Sequence, residues 1–397
     1  MRSKTAPAPW FFQFVKAVFR IRTVAVALGG GRFRSRTMVG LLRERGFVAW
    51  SSWLWQKFGS MKFTRYFFRS LLAIFGLLGF AWAVGALYFD GPSPWLAGTL
   101  ALAVGVGVVF MGSWVRKLGV IGLFWGLVLA WWVTIQPSNV GNWQADVAQT
   151  SWAEIEGDEV TIHNLRNFKY RTAADYTPIW ETRKVRLSEV TGVDLFINYW
   201  GSPWMAHPIA SFQFVEGPPV AFSIETRKKV GQSYSAIGGI YRQYELIYIV
   251  ADERDVVQVR TRYRKGEEAY LYRIAMSPAE ARGRFLEYLA SINRLHEVPR
   301  WYNAITTNCT TGIRDQHPKA KRQAWDWRML VNGKGDELTY ELGGFRTDGL
   351  PFTELKRRAL IQTVSEEVND SGDFSQLIRA GRPGFGSVQG SAGDAVN

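Results

Sequence analysis

Cysteine is almost missing from this chain. Cys309 is the only one in 397 residues, which excludes an intrachain disulfide framework and a multi-cysteine zinc site. Histidine is scarce as well: His163, His207, His296 and His317 are the four, and no cluster of His, Cys, Asp and Glu has metal-ligand spacing. Acids are nearly absent from the first 69 residues, where fourteen Lys and Arg stand against Glu44 alone. That arm holds thirteen of the fourteen net positive charges. The rest of the chain is close to neutral, so the basic balance describes an arm and not a basic binding domain. Gly29-Gly30-Gly31 has neither a preceding strand nor a following Lys-Ser/Thr, so no phosphate loop is credible. Gly231-Gln232-Ser233-Tyr234-Ser235 fails the nucleophile-elbow pattern at its last position. No internal repeat is found.

What the chain does have is apolar and aromatic mass. Aromatics reach 15%, with 18 Trp, and charged residues only 21%, which excludes a disordered chain. Residues 1–69 mix the two characters, as in Trp10-Phe11-Phe12-Gln13-Phe14-Val15-Lys16-Ala17-Val18-Phe19-Arg20. Three readings are open. The arm lies against anionic headgroups on the cytoplasmic side, it binds nucleic acid, or the start is set too early and Met61 opens the protein. Arg-rich composition alone does not separate the second from the first, but the second is the least favoured of the three, and no nucleic-acid partner is expected.

Residues 70–135 read as three transmembrane helices. Ser70–Phe89 carries no charge and is long enough to cross a hydrocarbon core of about 30 Å. Asp90-Gly91-Pro92-Ser93-Pro94 makes a polar turn. Trp95–Val115 is the second span, with Gly98, Gly105, Gly107 and Gly112 suited to close helix packing. Arg116-Lys117 then breaks the run before the third span, Leu118–Ile135. Lys and Arg set the orientation: the arm and Arg116-Lys117 face the cytoplasm, and three crossings put residues 136–397 outside it, with 136–385 as the domain. Two further spans exclude a cleaved signal at the first.

That outer domain reads as α+β. Val160–His163 and Asn167–Tyr170 are strand material. Ile209–Val215 and Val220–Ile224 flank Glu216-Gly217-Pro218-Pro219, a hairpin signature. Tyr244–Val250, Val256–Tyr263 and Glu268–Ile274 are three further expected strands. Ser277-Pro278-Ala279-Glu280 opens a helix with Pro in the first turn and an acid at the capping-box position, running to about Leu295. The sequence after Ala380 is Gly- and Ser-rich, and residues 386–397 are expected to fray.

The lone cysteine sits in Trp301-Tyr302-Asn303-Ala304-Ile305-Thr306-Thr307-Asn308-Cys309-Thr310-Thr311. Asn308–Ile313 fits a loop turning into a helix with Cys309 near its N-terminus, a place that favours thiolate. A buried core thiol is the plain alternative, and the polar neighbours argue against it. A thiolate needs a base, normally histidine. His163 has basic neighbours, His296 ends a helix and His317 lies in a charged stretch; His207, at the start of a strand, leads narrowly by spacing alone. Glu225 ends the partner strand, so the hairpin brings it to the same end of the sheet, where it would orient the base. Arg227 lies two residues on, on the same face, and a solvated Glu225–Arg227 ion pair is the ordinary reading of that spacing. Ser211 and Ser223 are rival nucleophiles that sit inside strands and read as packing residues.

From about Val160 to Phe385 the chain resembles the Lnb N-terminal periplasmic domain family, named for the bacterial lipoprotein N-acyltransferase Lnb. The resemblance is carried, in order, by Asn164-Leu165-Arg166-Asn167-Phe168, Tyr199-Trp200-Gly201, Ala206-His207, Ser211–Phe214, Ser223-Ile224-Glu225-Thr226-Arg227, Ala251–Asp255 and Asn308-Cys309-Thr310-Thr311. It implies a permuted papain-like cysteine-hydrolase or acyltransferase fold, with the histidine strand ahead of the cysteine helix. It also implies a periplasmic catalytic domain on the bacterial inner membrane. The implied nucleophile is Cys309, the implied base His207 and the implied third member Glu225; Arg227, Asn308 and Trp200 are the substrate-binding candidates. No cofactor is implied. One departure is architectural: that family carries its spans after the catalytic domain, whereas this chain carries three before it.

Three functions are therefore compared. A membrane-anchored thiol acyltransferase would act on lipid or lipoprotein acyl esters through a Cys309 thioester, from an apolar groove opening toward the membrane. A periplasmic cysteine peptidase or amidase would use the same residues with water as acceptor, from a polar cleft. A non-enzymatic envelope protein would bury Cys309 with no histidine in reach.

Overall fold

The computed structural model describes residues 61–306, 326–329, 332–361 and 374–386. The arm before Met61, the 307–325 stretch with Asn308 and Cys309, and the tail from 387 lie outside the described residues. The chain divides into two compact units, Met1–Ala73 and Ile74–Asn397. The described part of the first is the opening of helix α1 (Met61–Asp90), with Arg65 and Arg69 at exposed positions.

In the second unit α1 runs on to Asp90 and is followed by α2 (Pro94–Phe110) and α3 (Trp114–Thr134). Ser93 starts α2: its Oγ accepts from Trp95 N at 3.2 Å, and Pro94 follows in the first turn, where a missing N–H costs nothing. By length and composition α1 and α3 could each cross a membrane. The second expected span is shorter than the sequence implied. Its 17 residues rise about 25 Å at 1.5 Å each, and the chain turns extended at Met111. Arg116 and Lys117 therefore lie in the first turn of α3 and do not separate two spans. Nor do the α2 glycines serve packing, because a Cβ at Gly98, Gly105 or Gly107 would meet nothing within 4 Å. Gly76 and Gly79 of α1 do that instead, a Cβ on each falling 3.5 Å from Leu118 and Trp125 of α3.

Ten strands follow: β1 (Trp152–Glu156), β2 (Glu159–Arg166), β3 (Lys169–Tyr170), β4 (Tyr176–Thr177), β5 (Trp180–Arg186), β6 (Val190–Trp200), β7 (Ser202–Phe214), β8 (Val220–Arg227), β9 (Glu245–Asp252) and β10 (Glu267–Arg273). Seven of them form the order β1-β2-β9-β8-β7-β6-β10, β5 pairs β2 from the side, and β3-β4 is a separate ribbon. The pairs are antiparallel except β2–β9. Alternation along the strands makes two apolar faces. One face, with Phe212, Phe222, Ile224 and Val250, packs on α5 after a single turn α4 (Glu253–Val256); α5 is Pro278–Glu297. Phe285, Tyr288, Leu289 and Ile292 of α5 are buried there, each contributing about 1.5–3 kcal/mol relative to exposure. The expected capping box is present: Ser277 Oγ accepts from Glu280 N at 3.3 Å and the Glu280 carboxylate accepts from Ser277 N at 2.8 Å. The opposite face, with Ile209, Ala221, Ile247 and Ile249, packs on Val147, Val256, Ile361 and Phe374.

One expected strand is helical. Val256–Tyr263 continues α4 into a π-helical turn, Val259–Tyr263. Its β-branched residues suggested a strand, but Asp252 caps the turn by accepting from Arg254 N at 3.0 Å, and Glu253 and Asp255 add acids at a helix N-terminus. The remaining described α-helices are α6 (Gly335–Glu341), α7 (Phe352–Ala359) and the single turn α8 (Phe374–Leu377).

Candidate active site

The site is built on the face of the sheet opposite α5. β7 begins at Ser202, so His207 lies within the strand and not at its start. Gly201, at φ +66°, turns β6 directly into β7. In that register Asn198 of β6 stands opposite His207, and Ala269 of β10 stands opposite Asn198. On the other side Ile209 pairs with Ser223; two residues further along the same register, Glu225 comes opposite His207. A row across four strands thus runs Ala269, Asn198, His207, Glu225.

His207 is 7% exposed. Its Nε2 lies 2.7 Å from Ser223 Oγ and 3.1 Å from Glu225 Oε1. Ser223 donates its own proton to Glu225 Oε1 at 2.7 Å. Both groups facing Nε2 therefore act as acceptors, which puts the imidazole proton on Nε2 and leaves the lone pair on Nδ1. Nδ1 has no hydrogen-bond partner among the described residues. The arrangement holds the imidazole in one tautomer, with its unprotonated nitrogen turned away from the orienting pair, a geometry that can serve a general base. Ser223 is 1% exposed and its proton is committed, so it bridges and does not attack.

Glu225 is half-buried. Burial alone would raise its pKa, but His207, the Arg260 guanidinium and the Ser223 hydroxyl hold it well below the usual carboxylate range. The guanidinium comes from the π-helical turn: Arg260 Nη2 donates to Glu225 Oε1 at 3.2 Å and Nη1 to Glu267 Oε2 at 3.1 Å. The chain His207–Glu225–Arg260–Glu267 keeps the carboxylate charged beside the imidazole.

The expected Glu225–Arg227 pair does not form. Arg227 is 2% exposed and donates to the carbonyls of Val147 at 2.9 Å and Ala148 at 2.7 Å and to Asn139 Oδ1 at 3.0 Å. Its guanidinium stacks 4.5 Å over Trp143. Arg227 fastens the chain that leaves α3. Trp200 is 37% exposed and stands on the wall of a cleft of about 460 Å³. Asn308 and Cys309 lie outside the described residues, but the segment leading to them is placed. Tyr302 N donates to Tyr244 O at 2.9 Å, Ala304 N to Gly239 O at 2.8 Å and Asn303 Nδ2 to Ile240 O at 3.1 Å. The loop accepting those bonds is itself fixed to the ends of α1 and α3. Asp90 accepts from Arg242 N at 3.1 Å, from Gln243 Nε2 at 2.8 Å and from Trp132 Nε1 at 2.7 Å, and Arg242 donates to the Trp132 carbonyl at 2.6 Å and stacks 4.0 Å over its ring.

Sequence reasoning missed Ser223 as a bridge, Arg260 and Asn198. Ser223 and Glu225 carry an i, i+2 signal on one strand face; Arg260 was hidden by the misread turn. The acidic Asp252–Asp255 stretch is architectural. Asp255 takes Arg166 Nη2 at 2.7 Å and Phe168 N at 2.8 Å. Glu253 takes Ser211 Oγ and Arg379 Nη1, the latter at 2.9 Å. Among the described residues no group of three His, Cys, Asp or Glu side chains is arranged to hold a metal ion.

An α+β domain with an oriented, buried histidine follows helices long and apolar enough to cross a membrane. Residues 176–333 match the family model described as the Lnb N-terminal periplasmic domain, the family its motifs resemble, and the match points to an envelope-associated protein. The match contains β6 to β9, His207, Ser223, Glu225 and Arg260, and also Cys309. No curated protein and no solved structure matched the chain.

Proposed function

We propose that this protein is a membrane-anchored, cysteine-dependent acyltransferase whose domain of residues 136–385 faces the periplasm of a bacterial inner membrane. Its reading as a permuted papain-like fold, histidine strand before cysteine, belongs to the same proposal. His207 Nδ1 takes the thiol proton of Cys309, and the thiolate attacks the carbonyl carbon of an acyl ester in a lipid or lipoprotein. The C–O bond breaks, the proton passes from His207 to the leaving alkoxide, and a thioester remains. A neutral amine then attacks the thioester. As the C–N bond forms and the C–S bond breaks, His207 takes one amine proton and returns it to the thiolate. Atoms and charge balance over the cycle, and no cofactor takes part.

The observation that carries this reading is the Nε2 engagement of His207 by Ser223 and Glu225, which leaves the opposite nitrogen basic. Two further observations support the membrane setting. The C-terminal ends of α1 and α3 meet at Asp90 and Trp132, as an up-down-up passage with α2 returning between them requires. The segment entering Cys309 is stapled to the loop held by those same ends. A nucleophile held there stays near a substrate that remains in the bilayer.

The second reading, a cysteine peptidase or amidase with water as acceptor, is favoured by one feature: the cleft beside the site has polar walls, including Glu267, Glu268 and Lys356. The two readings share the acyl-enzyme and differ in its fate. Incubation of the full chain in bilayer nanodiscs with a fluorescent short-chain acyl ester tests what they share. The expected result is a hydroxylamine-labile adduct on wild type, absent from Cys309→Ala and strongly reduced in His207→Ala. An adduct that persists on Cys309→Ala contradicts the reading.

A further inference from the structure

Between β8 and β9 the chain passes through residues 230–241 without a charge, with Lys228 and Lys229 before them and Arg242 after. The end of this loop hangs on the helices. Arg242 N and Gln243 Nε2 donate to Asp90 at 3.1 and 2.8 Å, and Gln243 Nε2 also reaches the Phe89 carbonyl at 2.5 Å. Tyr241 goes further. Its ring stacks 5.0 Å from that of Phe89 and lies 6.4 Å from that of Trp82. Its hydroxyl occupies the place that a Cβ at Gly85 would need, and Gly85 lies about 7.5 Å below the end of α1 at helical rise. Ala83, Ala86, Leu87 and Val128 share its buried cluster.

That height can be set against a bilayer. The 21 residues of α3 rise about 31 Å, which matches a hydrocarbon core of about 30 Å with nothing to spare. Its end therefore lies at the core boundary, and Trp131, Trp132, Trp95 and Tyr88 gather at the same ends of α3, α2 and α1, as aromatic residues do at that level. Trp132 Nε1 donates to Asp90 Oδ2 at 2.7 Å, so Asp90, from which the loop hangs, shares the level. The loop also keeps apolar surface open. Ile237 is 63% exposed, and Tyr234 and Ala236 are exposed beside it. This surface is ordered: Tyr241 N donates to Gly238 O and Ile240 N to Ile237 O, both at 3.0 Å, and Ser235 N donates to Tyr244 Oη at 2.8 Å. Ile305 is exposed as well, directly after Ala304, whose N–H donates to Gly239 O. Water solvates such a surface poorly, whereas the headgroup–acyl boundary suits both its apolar residues and its basic flanks.

We propose that residues 230–241 form a second membrane contact of this protein, a loop that dips into the periplasmic leaflet with Tyr234 and Ile237 against lipid. The occupant of this surface is the leaflet itself. The inference rests on the reading of α1 and α3 as spans and is independent of the chemistry at Cys309. Its consequence is that residues 301–306, hydrogen-bonded to the loop through Asn303 and Ala304, run at headgroup level.

The test exploits the single cysteine. In a Cys309→Ala background any added thiol is unique, so Ile237→Cys, Val215→Cys and Leu123→Cys each carry one bimane label on the full chain in phosphatidylglycerol nanodiscs. Leu123 is exposed midway along α3. Val215 is exposed beyond the far end of β8, whose eight residues span about 26 Å. The quenchers are phospholipids brominated near the glycerol or near the chain ends, and aqueous iodide. The Ile237 label is expected to lose more emission to the shallow bromines than to the deep ones, and the Leu123 label the reverse. The Val215 label should respond to iodide alone. An Ile237 label that behaves like Val215 overturns the loop proposal while Leu123 keeps the spans. An Ile237 label shielded from bromolipid and iodide alike is covered by protein, which overturns the lipid assignment. A Leu123 label that no bromolipid reaches overturns the span reading instead.

Discussion

Glu225 Oε1 lies 3.1 Å from His207 Nε2 and 3.2 Å from Arg260 Nη2, so one carboxylate oxygen both orients the imidazole and is kept charged by a guanidinium. Neutralising that oxygen removes the reason for the proton to stay on Nε2. Glu225→Gln is therefore expected to lower kcat by about 10²–10⁴-fold, the range of general-base effects, with a smaller change in KM. Steady-state kinetics on the full chain check this. A kcat within a factor of two of wild type would remove Glu225 from the machinery.

The same carboxylate gives a pH dependence with a fixed sign. His207 and Arg260 hold its folded pKa well below the ordinary glutamate value of 4.5. Its contribution to stability is present above 4.5 and fades as pH falls from there toward the folded value. Chemical denaturation of wild type and Glu225→Gln should show a gap that narrows on acidification below that point. A gap that widens on acidification would reverse the assigned shift.

Arg379 carries a different prediction, about folding and not chemistry. It donates to Asp194 Oδ2 at 2.8 Å and to Glu253 Oε2 at 2.9 Å, and both carboxylates are fully buried. Arg379→Ala takes the shared guanidinium from two buried acids, leaving Asp194 with Arg273 at 2.7 Å and Glu253 with the Ser211 hydroxyl, a loss of about 3–5 kcal/mol. The thermal midpoint should fall well below that of the exposed control Arg357→Ala. Equal midpoints would mean the acids find other partners.

Arg242 links the end of α3 to the segment that leads to Cys309. Arg242→Ala removes its bonds to the end of α3 while Asp90 keeps Gln243. Hydrogen exchange should rise in residues 238–243 and in 301–306 together, because Gly239 and Ile240 accept from Ala304 and Asn303. Faster exchange confined to 238–243 would break the proposed linkage.

Much of this was legible in the sequence where a local rule and the tertiary fold agree. The capping box at Ser277 and Glu280, the hairpin through Glu216–Pro219, and the strands on either side of it all form at or near their expected places. The hairpin alone was enough to bring Glu225 to His207. Strand β6 was missed because Asp194 and Asn198 interrupt its apolar run; the first is balanced by Arg379, far away in the chain. Val256–Tyr263 was misread because β-branched residues mimic a strand while the Asp252 cap decides for a helical turn. Arg227 shares a face with Glu225 as expected, yet backbone carbonyls at 147 and 148 claim it, and no spacing rule on β8 reports those.

The central claim is that Cys309 and His207 move an acyl chain onto an amine. The most direct measurement is mass spectrometry of a diacylglyceryl lipopeptide after incubation with wild type, Cys309→Ala and His207→Ala in bilayers. The account predicts an acyl chain on the N-terminal amine with wild type only, and an intact peptide backbone. Cleavage of peptide bonds by wild type, with the acyl chains left in place, would contradict it and make the protein a hydrolase.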